Sequence, residues 1–88
     1  MAFTGMDIAA VRNMAAQMDN AAGEIEAITS KLTGVLQGTQ WEGADATNFR
    51  SEWEGQHCTN LRQLQERLRA VSNQARKNAD EQEAASGA

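Results

Sequence analysis

Three places in this 88-residue chain carry side chains able to do chemistry. His57 and Cys58 set a base beside a thiol. Arg62, Arg69 and Arg76, joined by Arg67 and Lys77, concentrate positive charge. Trp41-Glu42-Gly43 sets a large ring beside a glycine. The first pair fails as a nucleophile and its base, because neighbouring helical positions diverge by about 100° and cannot face each other. No acid, oxyanion loop or phosphate-binding glycine run accompanies them, so no enzyme is expected. One histidine and one cysteine also fall short of the three or four ligands of a zinc site, and a lone cysteine forms no intrachain disulfide. No cofactor is implied.

Arg62, Arg69 and Arg76 recur every seven residues, which on a helix makes one stripe. Two readings stay open. The stripe is a solvated face whose cations suit the C-terminal half of a helix dipole, or it meets acidic residues such as Asp19, Glu24 and Glu26 of a neighbouring helix. Nucleic acid is not the expected partner, since the net charge is -4. Residues 1–56 carry three cations against eight anions, residues 57–77 five against one, and residues 78–88 three anions alone. The basic block is local.

The elements that position these groups are helical. Ala, Gln, Glu and Arg abound, β-branched residues are few, and there is no proline. From Asp7 the apolar positions Val11, Met14, Met18, Ala21, Ile25, Ile28, Leu32 and Val35 alternate steps of three and four, a heptad seam widened by Ile8, Ala15, Ala22 and Leu36. Asp7 reads as the N-cap and Gly38 as the stop of a first helix over about 7–37, roughly 46 Å long. A second helix, about 45–78, carries Phe49, Trp53, His57, Leu61, Leu64, Leu68, Val71 and Ala75. Its run of four-residue steps predicts a stutter near His57. Residues 79–88 read as a flexible acidic tail.

Between the helices, about 38–44, Thr39 and Glu42 fit a capping box, with Asp45 as the competing cap. Gly38 lets the chain reverse, and Gly43 leaves room for a backbone or ring to approach. The chain is therefore one all-α domain over 1–88, a helix-turn-helix hairpin. So small a chain with so wide an apolar face is expected to dimerise into a four-helix bundle, with Val11, Met14, Met18, Ile25, Ile28, Leu32, Phe49, Trp53, Leu61, Leu64, Leu68 and Val71 along the hairpin and dimer seams. Neither a cleavable signal peptide nor a membrane span is read from the chain.

A Trp-x-Gly bend at mid-chain between two heptad helices, followed by "GADATNFRSEW" and closed by a polar acidic tail, closely resembles the WXG family of small Esx proteins, the early-secreted-antigen-like substrates of type VII secretion, and most of all its actinobacterial members. The resemblance implies a protein cytoplasmic before export. It would then be secreted as a folded dimer with another WXG-type chain, identical or different, through an FtsK/SpoIIIE-type membrane ATPase. It would act as effector or co-secreted partner and meet the membrane only through that machinery. The family's two-part signal pairs the Trp-x-Gly bend of one protomer with a Tyr-x-x-x-Asp/Glu segment of the other. Trp41 and Gly43 match the first part. In the second, Asp80 matches while Arg76 stands where the tyrosine would be, so either a partner supplies the tyrosine or "RKNAD" is a variant signal. Trp41 is expected both to seal the bundle end and to leave one face open to a partner. A cytosolic scaffold that never leaves the cell is the rival reading.

Overall fold

Asp7 begins the fold by accepting the Ala10 amide on its side chain at 3.0 Å, which satisfies one of the free donors at the start of α1, Ile8–Gly38. A computed structural model describes residues 6–87; residues 1–5 and 88, which the expected domain includes, lie outside the described residues. After a short bend come α2, Ala44–Glu52, a single π-helical turn, Trp53–His57, and α3, Cys58–Gly87. There is no strand among the described residues. α1 packs along α3, giving a hairpin of 65 × 17 × 14 Å.

The π turn has a reason in the spacing. Each four-residue step of Phe49, Trp53, His57 and Leu61 overshoots an α-helical turn by about 40°, so three in succession would carry the apolar row about 120° off its face. Widening one turn at Trp53–His57 takes up the excess. Phe49, Trp53 and His57 remain neighbours as a result, with ring centroids 6.3 to 6.4 Å apart. The stutter expected near His57 takes this form.

In α1 the face that closes the hairpin is the flanking row, one position along from the main expected seam, whereas α3 uses Leu61, Leu68 and Ala75 of the expected seam together with Ser72 and Ala79. In α1 the inward row is Ile8, Arg12, Ala15, Asp19, Ala22, Thr29, Thr33 and Leu36, with Glu26 at its exposed edge. In α3 it is Leu61, Gln65, Leu68, Ser72, Ala75, Ala79 and Gln82. Ala15, Ala22, Ser72 and Ala79 are fully buried. Small side chains let the two helices approach closely at little entropic cost. Between the alanines, Arg12, Asp19, Glu26 and Thr33, spaced by seven, each reach across. Arg12 pairs with Asp80 at 2.8 Å and Glu83 at 3.0 Å. Asp19 accepts from Ser72 Oγ and pairs with Arg76 at 2.8 Å. Glu26 lies 4.0 Å from Arg69, and Thr33 Oγ1 accepts from Trp53 Nε1 at 2.9 Å.

Of the expected hairpin and dimer seams, Trp53 and Ala75, with Ala15 and Ala22 of the flanking row, are buried within the single chain. Val11, Met18, Ile25, Leu61, Leu68 and Val71 are half-buried, and Met14, Ile28, Leu32, Phe49 and Leu64 are exposed, because in α1 the small row rather than the large one faces α3. The segment expected as a loose tail, 79–88, is helical to Gly87; Ala79 packs inward, and Arg12 holds Asp80 and Glu83. Ion pairs bind the segment where apolar periodicity had run out.

Candidate functional site

The bend does not use a capping box. Thr39 Oγ1 donates back to Val35 O at 2.6 Å, and Glu42 accepts from Gln40 rather than from an amide of residue 39. α2 starts instead from Gly43, whose φ of 115° and ψ of 178° lie in a region open essentially to glycine, and whose carbonyl accepts the Thr47 amide at 3.1 Å. Gly43 serves conformation rather than close approach, since a Cβ there would meet nothing within 4 Å. Gly38 closes α1 inside the helix, and the reversal falls to residues 39–43.

No basic side chain sits in the last turn of α1, so its final carbonyls need donors from elsewhere. Arg50 of α2 supplies them. Its Nε and Nη2 donate to Leu36 O at 3.1 and 2.9 Å, Nη2 to Thr39 O at 2.8 Å, and Nη1 to Trp41 O at 2.6 Å. Its guanidinium carbon stands 5.6 Å from the centre of the Trp41 ring, within cation–π range. Trp41 is 41% exposed in the single chain. Trp53, one turn beyond Phe49, is buried, with its indole N–H on Thr33.

The other half of the candidate site is tied down. Arg76 donates to Ser72 Oγ at 3.3 Å and pairs with Asp19, while Asp80 holds Arg12. Hydrogen bonds from Ser72 and then Arg76 hold the Asp19 carboxyl below its ordinary range, and Arg12 does the same for Glu83. The hydrogen bonds that Arg12 donates to Glu83 and Asp80 push its own value up in return. Of the basic stripe, Arg69 and Arg76 thus contact Glu26 and Asp19, as one of its two readings expects, and the neighbouring helix is the chain's own. Arg62, Arg67 and Lys77 form no ion pair among the described residues.

Val35 joins Met14, Ile28, Leu32, Phe49 and Leu64 among the exposed large apolar residues, and the half-buried Val11, Met18, Ile25, Leu61, Leu68 and Val71 adjoin them. The heptad spacing draws those of α1 into one row beside its inward row, and in α3 Leu64 and Val71 flank the inward Leu61 and Leu68.

His57 pairs with Glu52 at 2.7 Å, and Cys58 is a half-buried free thiol. Among the described residues no three His, Cys, Asp or Glu side chains are grouped to hold a metal ion, and no helix is long and apolar enough to cross a membrane.

The sequence reading missed Arg50, Arg12, Thr33 and Ser72. The one legible hint for Arg50 was an α1 end without a cation of its own. For the others the hint was polar residues recurring every seven positions at Arg12, Asp19, Glu26 and Thr33. The model of a family described as proteins of 100 residues with WXG matches residues 4–85 of the chain. No curated protein and no solved structure matches it.

Proposed function

We infer that this chain, which belongs to the WXG100 family, is a non-enzymatic protein exported as a folded dimer through an FtsK/SpoIIIE-type ATPase of a type VII system. It acts as a secreted effector or co-secreted partner. The family is known for small secreted type VII substrates, and its members typically dimerise with other WXG proteins. The observation that carries the reading is the row of large apolar residues left outside the hairpin. Ile28, Leu32, Val35, Phe49 and Leu64 are the side chains a bundle core would use, yet the hairpin closes on alanines and leaves them exposed. A second WXG-type hairpin laid on this face gives a four-helix bundle.

The engagement of Arg76 with Asp19 favours a partner that supplies the tyrosine half of the signal over a variant signal at "RKNAD". An arginine held at 2.8 Å by its own chain is less free to be read by another protein. Trp41, exposed at the bend, supplies the other half. The test is immunodetection of the intact chain in culture supernatant, with the secretion ATPase active and inactivated, at matched intracellular levels. The reading expects ATPase-dependent release that stops when the partner WXG chain is deleted. Retention of a folded, abundant chain under all conditions would support the cytosolic scaffold instead, and release without the partner would return "RKNAD" to consideration.

A further inference from the structure

We propose that Arg50 is a positioning residue that holds Trp41 in the outward pose in which the bend is recognised; the recognition part rests on the export reading above. One planar fork fixes three things at once. It ties down the end of α1 through Leu36 O, the middle of the bend through Thr39 O, and Trp41 through both its carbonyl and the face of its ring. No other hydrogen bond from the described residues holds Trp41. Its indole Nε1 donates to none of them, and the residue is 41% exposed. Among the described residues Arg50, reaching from α2, thus makes the polar contacts to Trp41, while a large part of the residue stays open.

A plain helix-capping role would ask only for positive charge near the α1 C-terminus, which a lysine also provides. The geometry asks for more. An ammonium is a compact point donor, and it cannot span carbonyls of Leu36, Thr39 and Trp41 while lying over an indole; the guanidinium fork can. Arg50→Lys therefore separates positioning from capping, and Arg50→Ala removes both.

The experiment labels the chain with fluorotryptophan and reads its fluorine NMR resonances, assigned with Trp41→Phe. In Arg50→Lys the Trp41 resonance is expected to move and to gain solvent sensitivity. The Trp53 resonance, the circular dichroism and the association state should stay as in the parent chain. An unmoved Trp41 resonance in a folded Arg50→Lys chain overturns the proposal. Release into the supernatant, at equal intracellular level, is expected to fall for Arg50→Lys as for Trp41→Phe. A displaced Trp41 with undiminished release would show that its pose is not what is recognised and overturn that part. Should the parent chain itself not be released, the export reading fails, while the fluorine spectrum still decides whether Arg50 holds the ring. If Arg50→Ala does not fold, the Arg50→Lys comparison stands alone.

Discussion

Asp19 Oδ2 lies 2.8 Å from Arg76 Nη2, so the cation that stands where a family tyrosine would be is engaged with its own first helix. Both side chains are more than a third exposed, and the pair is a fastening of the hairpin rather than a buried bridge. Arg76→Ala and Asp19→Asn should each lower the melting temperature slightly, and the double variant should lose less than the sum of the two. Thermal melts followed by circular dichroism check this. Strictly additive losses would mean that the two side chains do not stabilise the fold through each other.

Acid should loosen the same end of the molecule. Asp19 and Glu83 are held below the ordinary carboxylate range by their partners, so they contribute stability in full above that range and lose it as pH falls through the depressed folded values. The melting temperature is therefore expected to be level from neutrality to about pH 5 and to decline below it. Asp19→Asn should flatten part of that decline. A decline that begins near neutrality would assign the dependence to another group.

Gly38 at the end of α1 and Gly43 in the bend should behave in opposite ways. Gly43→Ala is expected to cost about 1–3 kcal/mol although its surroundings are open, because the strain is in the backbone. Gly38→Ala, inside the helix with no atom within 4 Å of the added carbon, should stabilise by about 0.4–1 kcal/mol. Denaturant titration of both variants measures the contrast. Equal effects would contradict the bend geometry.

The closure on small residues predicts that size, not polarity, limits the inner face. Ala22→Leu adds apolar volume where the helices touch and should destabilise by about 1–3 kcal/mol. A neutral or stabilising effect in the same titration would mean that the large-residue row, not Ala22, faces α3.

How far the fold is legible in the sequence differs from element to element. The helical periods of α1 and α3 are visible because three-and-four spacing leaves few alternatives. The four-residue run from Phe49 to Leu61 likewise announces a disturbed turn. Which of two adjacent heptad rows faces inward is not visible. Hydrophobicity ranks Ile28 and Leu32 as core, whereas the hairpin selects Ala15 and Ala22 because two backbones must come close. The helical end to Gly87 escaped for the opposite reason: it is held by Arg12, about 70 residues earlier in the chain, and no local pattern reports such a pair. At the bend, Trp41-Glu42-Gly43 could be read from residue types, but the role of Arg50 depends on where three carbonyls point.

The central claim is that the outward row of large residues is the face on which another WXG-type chain lies. Sedimentation equilibrium of the parent chain and of Ile28→Asp, each alone and mixed with the partner WXG chain, tests it most directly. The account predicts that the parent forms a two-chain complex, with itself or with the partner. Ile28→Asp should sediment as a monomer in both settings while its helical circular dichroism is retained, since Ile28 is exposed in the single hairpin. A parent chain that stays monomeric in both settings, or an Ile28→Asp chain that associates as well as the parent, would contradict it.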